Sequence, residues 1–396
     1  MLEIEFSSML DPNPSLGLGD GFYSTFTSQN QIEVKRRYIN WLNAWDELVK
    51  IGLSSKGPDV SEIGSTWLGG FHAMETIRPI MASNIGFQLF PKAAWQACTT
   101  SNANFALGIP WTVDIRVVLY RRDWLHKAGV DEATAFADSS QFLETLKKIK
   151  AAGHLSPLGI TTSRIDNRVF HDMASWVWSA GGDIRSENGR KMLLMETKSR
   201  GGMEDYFRLH EFIAPESFGL IEPGVAKDFI DGKTAVAVLT EKTYYLLKKQ
   251  ASPESIENIG MAKLMHVPFI GGTALAVWRH SPCAQESLKL IQDLSSVKVG
   301  KILYEEYRIT PANLNSLQNT SLIADPFYSV IINSLNQGRS APNSYRWGGV
   351  ESRLVAVIEQ MWNDLHENPQ LNIAHEVAKR FTELCDRLEQ TILEYY

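Results

Sequence analysis

At 396 residues and a formal net charge of −6, the chain exceeds what one core commonly supports, so two domains are expected. The charge carries no global basic bias, which argues against nucleic acid as a partner, and no apolar run approaches membrane-spanning length. Cys98, Cys283 and Cys385 are widely spaced; they form no disulfide framework or metal pattern and read as buried free thiols. Residues 1–8 alternate like a strand and lack a basic n-region or apolar core. Either a signal peptide has been removed and a Met added, or the protein stays in the cytosol. The run Leu16-Gly17-Leu18-Gly19 has no Gly-Lys-Ser/Thr ending and reads as a flexible loop. A second strand is expected over 31–35, then a helix over 41–49, capped by Asn40 and ended by Gly52. Residues 56–63 read as a turn feeding a short buried strand. Helices follow at 139–152, with Ser140 as cap and Gly153 as stop, and at 172–180, closing at Gly181-Gly182. Strands are expected at 158–162, 235–239 and 273–278, and an amphipathic final helix at 373–396. Alternating strands and helices predict an α/β fold with largely parallel sheets.

The segment 107–125 carries the most chemistry. Pro110 fixes its own φ and biases Ile109 toward extended geometry, so the chain crosses this point as a stiff tie. Trp111, Thr112 and Asp114 follow at once, presenting an aromatic face, a hydroxyl and a carboxylate. Those groups grip a polyhydroxylated ring, and the segment reads as a hinge that doubles as a ligand wall. No Gly/Ser-rich linker is visible, so the chain is expected to cross between lobes several times.

The order of motifs resembles the extracellular solute-binding proteins of family 1, the receptors of sugar ABC importers, of the maltose-binding type. The resemblance rests on Gly57-Pro58-Asp59-Val60 with Ser65-Thr66-Trp67 and Ile77-Arg78-Pro79-Ile80, and on Leu107 to Trp124 leading to Ala128-Gly129-Val130. Further support comes from Trp178-Ser179-Ala180-Gly181-Gly182-Asp183 and Phe229-Ile230-Asp231-Gly232-Lys233-Thr234-Ala235. It implies a two-lobed periplasmic-binding-protein fold of type II, with hinge strands and a helical C-terminal segment. Residues 1–112 with 270–310 would form lobe one; 113–269 with 311–396 would form lobe two. The implied function is a non-catalytic, high-affinity receptor that holds a sugar or oligosaccharide in an interlobe cleft and delivers it to ABC permease subunits. The implied place is periplasmic or extracellular, and the implied state a monomer without cofactor or metal.

The candidate ligand residues have duller readings beside them. Ser65, Thr66 and Trp67 follow a strand end, where open α/β sheets hold ligands; the alternative is a surface loop with one packed Trp. Ser8 ends the first strand and enters by the same argument. Asp114 accepts hydroxyls or serves as a turn carboxylate; Arg116, two residues on, joins it or only neutralises it. By resemblance, the helix containing His171 starts at the ligand, making His171 a hydrogen-bond donor or an ordinary half-exposed residue. Trp176 and Trp178 lie two apart on a helix and cannot share a face, so one belongs to the core. Thr240 and Glu241 stand where the family has a Gly or Trp contact, and this departure makes Glu241 or Tyr244 the substitute. Gly271 and Gly272 admit backbone amides to a ligand or form a strand-entry turn. Trp347, in Tyr345-Arg346-Trp347, is the second aromatic candidate after Trp111. Arg308 and Arg346, with Arg116, would serve a phosphate-bearing ligand.

Two other function classes compete: a ligand sensor using the same fold, and a glycoside hydrolase with Asp114 and Glu241 as its carboxylates. Hydrolysis needs two carboxylates at a set separation, and no nucleophile elbow, phosphate loop or zinc motif appears.

Overall fold

A computed structural model describes residues 1–10, 18–81, 86–99, 104–165, 167–186, 189–250, 252–341, 343–344 and 346–390. Leu16, Gly17, Tyr345 and the end of the expected final helix lie outside them. In chain order the strands are β1 (Leu2–Ser8), β2 (Ile32–Tyr38), β3 (Val60–Gly64), β4 (Ile77–Arg78), β5 (Ile80–Met81) and β6 (Phe105–Ala106). They continue as β7 (Ile109–Arg121), β8 (Leu158–Gly159), β9 (Val236–Thr240), β10 (Ile259–Lys263), β11 (Ile270–Trp278) and β12 (Thr310–Pro311).

Contacts divide the chain into two compact units. Unit 1 holds Met1–Asp114, Ile270–Tyr328 and Ser340–Gly348; unit 2 holds Ile115–Phe269, Ser329–Arg339 and Gly349–Tyr396. The chain therefore passes between units after Asp114, Phe269, Tyr328, Arg339 and Gly348. Residues 113–114, 311–328 and 340–348, expected in the second lobe, belong to unit 1. The reason is local pairing: β12 bonds the unit 1 part of β7, Thr310 opposite Val113 and Pro311 opposite Thr112. The Asn343 side-chain amide likewise donates to the carbonyl of Thr99.

In unit 1, β1 runs parallel to both β2 and β3, and β11 runs antiparallel to β3 from Thr273 opposite Gly64 to Val277 opposite Val60. Ile63, Leu68, Phe71 and Trp278 pack in a core that excludes water almost completely. Gly52 lies inside the Ala44–Ser54 helix rather than ending it. A Cβ there would meet Thr76 and Trp278 at 3.1 Å, so the glycine permits close packing and the helix runs on to a left-handed Ser55.

In unit 2, β7 is flanked by β9 and β10, both antiparallel to it, and only β8 on β9 is parallel among the described pairs. The sheets are thus mixed rather than largely parallel, because the chain re-enters β7's neighbourhood from the opposite direction. The Arg168–Ser179 helix begins earlier than expected, and it packs on the Thr197–Arg208 helix. Asp138, not Ser140, caps the Ser139–Ala151 helix by accepting from the Gln141 amide at 2.9 Å. Tyr206 meets Trp362 edge-on with centroids 5.1 Å apart, anchoring the aromatic core of this unit.

Candidate functional site

Parallel β1, β2 and β3 end at Ser8, Tyr38 and Gly64, so their carboxyl ends share one edge of unit 1. Open α/β sheets bind ligands outside such edges. The Asn40 carboxamide accepts the Leu42 amide at 2.9 Å and turns the chain into a short 3-10 turn at Trp41–Asn43 and the helix beyond. A second short turn, Ser65–Trp67, follows β3 directly. The two turns meet through their indoles. Trp41 stacks on Trp67 with centroids 5.4 Å apart and planes 23° from parallel, and Trp45 meets Trp67 at 5.6 Å and 68°. Trp45 also leans on core Phe71. Behind this cluster, Gly64 lets the Trp67 ring lie close, since a Cβ there would sit 3.0 Å from it. Trp41 is 46% and Trp45 38% exposed, with Tyr38 and Leu42 more so. Such exposure of indoles already fixed by packing leaves a rigid apolar platform open to solvent. Glu62 is buried at the same edge and accepts the Met9 amide at 2.7 Å.

Unit 2 offers a different element. His171 lies in the first turn of the Arg168–Ser179 helix with its ring parallel to Phe269, centroids 3.8 Å apart. Its Nε2 is 3.9 Å from Glu351, and its Nδ1 is buried without a hydrogen-bond partner. Burial first, then the charges of Arg116 and Arg168, hold its pKa well below the ordinary value, so the imidazole is neutral. Beneath it lies a buried ionic network. Arg116 grips Asp172 through Nε at 2.7 Å and Nη2 at 3.1 Å, and Glu222 through Nη1 at 2.5 Å; its Nη2 also donates to the Val238 carbonyl. Arg168 pairs with Glu222 at 3.0 Å. Burial alone would raise the Glu222 pKa, but Arg116, Arg168 and hydrogen bonds from Thr240 bring it down to about 2.

The model of the bacterial extracellular solute-binding protein family matches residues 22–328. The chain belongs to that family. Its fold is that of the two-lobed MalE-like proteins. The sugar-binding protein MalE of Xanthomonas citri is similar over the whole of both chains, with 18% identity and a TM-score of 0.82. An ABC transporter solute-binding protein of Thermotoga lettingae bound with α-D-tagatose covers 98% of this chain and 99% of its own, at 16% identity and TM-score 0.79. Maltose-bound T. maritima MalE3 covers 97% and 99%, at 19% and 0.77. No curated protein sequence matches the chain. Members of this family are receptors rather than enzymes, and the family is extracellular.

Several residues expected at the ligand in this solute-binding protein have structural work instead. Trp111 is 2% exposed, its indole donating to the Leu294 carbonyl at 2.9 Å and its ring edge-on to Phe6, so it is core and not a ligand wall. Trp347 is fully buried. Trp178 is buried too, bonded to Asp183 and covered by the Arg339 guanidinium at 4.7 Å. Trp176 is buried as well, against Phe142 and Tyr206, so burial claims both candidates. Arg116 neither joins a ligand nor simply neutralises Asp114; it belongs to the carboxylates just described. Thr240 donates to Glu222, and buried Glu241 accepts the Ile115 amide at 2.7 Å, which removes it as a hydrolytic carboxylate. Gly271 gives room to the Asp114 carboxylate, and Gly272, at φ +136°, lets the chain pass against the Thr112 carbonyl; both answer to backbone packing. Arg308 caps a helix in left-handed geometry, pairs with Glu305 at 3.7 Å and lies over Tyr304.

Ser8, Thr66, Trp67, Asp114, His171 and Arg346 keep partial exposure, while Ser65 is buried beside them in sequence. Trp41 and Trp45 are not among the residues the sequence points to. Their sequence signal was an apolar pair at i, i+4 just after a strand end, which reads equally well as a core-facing helix stripe. Among the described residues no group of three or more acidic, His or Cys side chains is arranged to hold a metal, and no helix is long and apolar enough to cross a membrane.

Proposed function

We propose that this receptor captures a neutral sugar or oligosaccharide, whose ring lies on the exposed indoles of Trp41 and Trp45 in unit 1. The exposed platform braced by Trp67 carries the reading, because an indole face complements the C–H face of a pyranose. Unit 1 offers Ser8, Thr66 and Asp114 to hydroxyls; unit 2, taken by itself, offers His171. The sugars named with the tagatose- and maltose-bound neighbours support the same class. A phosphate-bearing ligand is disfavoured: Arg116 is buried and saturated by carboxylates, and Arg308 is already paired. The receptor would hand its sugar to the permease of an ABC importer in the periplasm or at the cell exterior, without catalysis and as a monomer.

A thermal-shift screen against monosaccharides, maltose, longer oligosaccharides, sugar phosphates and amines tests this. A ligand bound only by the folded state raises Tm by mass action, by about 2.7 kcal/mol of stability at a hundred times Kd. A neutral sugar should give the shift, with Trp41→Ala weakening it. A shift from phosphates or amines alone would defeat the sugar assignment.

A further inference from the structure

We propose that Phe269 is the positioning residue of unit 2: its ring sets the plane of the His171 imidazole, and its backbone ties that imidazole to the places where the chain leaves the unit. The proposal rests on the reading of His171 as a ligand group.

Three observations converge on Phe269. The first concerns what orients His171. Its Nδ1 has no hydrogen-bond partner, and Nε2 at 3.9 Å from Glu351 is too far for a hydrogen bond. What remains is aromatic: the close face contact with Phe269, at 3.8 Å and 7° from parallel, and a looser edge contact with Phe170 at 6.1 Å. An imidazole held by stacking, with a buried nitrogen left over, is one whose plane follows its neighbour's.

The second concerns the helix beneath. His171, Ser175 and Trp178 recur at i, i+4 and i+7, along one face of the Arg168–Ser179 helix. All three meet the same residue. Phe269 donates its amide to Ser175 Oγ at 2.9 Å and lies 5.7 Å from the Trp178 ring, 12° from parallel. Next to it, the Val267 amide donates to Ser179 Oγ at 3.0 Å.

The third concerns chain crossings. Phe269 is the last residue before one return to unit 1, and Arg339 the last before another; Arg116 is the second residue after the first entry into unit 2. The Arg116 amide donates to the Phe269 carbonyl at 3.3 Å, and the Arg339 amide donates to Pro268 at 3.0 Å. Phe269 and Arg339 form a β-bridge, while the Arg339 side chain covers Trp178 and pairs with Asp183 at 2.8 Å. The unit 2 ends of three crossings are therefore pinned beside one ring, and a ligand that shifts the His171 plane pushes directly on that ring.

Two measurements decide the matter. In the free protein, selectively labelled His171 should show upfield ring-current shifts of its carbon-bound protons. These persist in Phe269→Tyr, which keeps the ring, and shrink sharply in Phe269→Leu, which keeps only apolar bulk and leaves only the looser contact with Phe170. Phe269→Met serves in place of Phe269→Leu if the latter does not fold. Shifts unmoved by losing the ring would overturn the proposal. Calorimetry with maltose as the probe then compares Phe269→Leu, His171→Ala and the double variant. Each single change should weaken binding about tenfold, and the double variant should be no weaker than His171→Ala alone. Independent, multiplying losses would overturn the coupling, since a purely structural Phe269 would add its cost in either background. Should no carbohydrate bind the unaltered protein, the sugar reading falls while the ring-current result still decides the positioning.

Discussion

Trp41 and Trp111 are the same side chain with opposite duties, 46% and 2% exposed respectively. Trp111→Ala should cost about 3–5 kcal/mol of stability, since it empties a core site and orphans the Leu294 carbonyl; urea unfolding reads it. Trp41→Ala should leave unfolding nearly unchanged yet weaken sugar binding by about 1 kcal/mol, roughly fivefold, through lost stacking. Two titrating groups of unit 2 give pH signatures. Glu222 has a folded pKa of about 2 against an ordinary 4.5, so its contribution is complete above 4.5 and is lost as pH falls toward 2. His171 is depressed below 6.5, so its unfolded form takes up the proton that the folded form refuses. Stability therefore falls as pH drops below 6.5. Replacing His171 with Asn should flatten the dependence of Tm on pH just below 6.5 and leave the steeper acid limb, where Glu222 acts, in place. A profile unchanged by the substitution would contradict the neutral imidazole.

Elements here were readable where a local rule decided them and misread where packing did. Leu2–Ser8 alternates as a strand and is one; Asn40 caps as its side chain dictates. Glycine disfavours helix interiors, so Gly52 reads as a stop in the sequence, yet contact with Trp278 and Thr76 keeps it inside a helix. The same logic applies at Gly202, where the Thr197–Arg208 helix crosses the Arg168–Ser179 helix. A Cβ at 202 would come within 2.8 Å of the Trp176 carbonyl and the Val177 Cα, both rigid backbone. Gly202→Ala should accordingly destabilise by about 1–3 kcal/mol rather than gain the helix propensity that alanine brings elsewhere. Equilibrium denaturation showing a gain would mean the helices separate freely. For β7 the run Val113-Asp114-Ile115-Arg116-Val117 did hold a clue: an arginine within a strand buried on both faces must find carboxylates, and Asp172 and Glu222 answer it from distant segments.

At the scale of the molecule, discontinuity is the governing fact. Unit 1 draws on three stretches of chain, and its central strand β3 takes a partner, β11, from residues 273–277. A fragment of residues 1–114 lacks β11 and β12 and leaves the buried edge of β3 open. It should remain largely unfolded by circular dichroism, whereas the whole chain folds. A cooperative thermal transition in that fragment would show that unit 1 does not depend on its later segments. Because one folded state must assemble from stretches that alternate between units, the sugar should raise a single Tm for the whole chain.

The order of motifs was sufficient to place this chain among the extracellular solute-binding proteins, because Gly, Pro and Asp at turns and strand ends obey rules a few residues long. The same local rules located several strands and helices, among them Leu2–Ser8, Val236–Thr240 and Ser139–Ala151. They did not decide which aromatic residues meet solvent. Trp41, Trp111, Trp178 and Trp347 are chemically alike and each sits near a motif; only the assembled core determines which faces are covered. The same holds for Arg116, whose charge looked available until Asp172 and Glu222, 56 and 106 residues away in sequence, closed around it. Burial is a property of the partners that arrive from elsewhere in the chain, and so the tertiary structure alone assigned these side chains to core or surface.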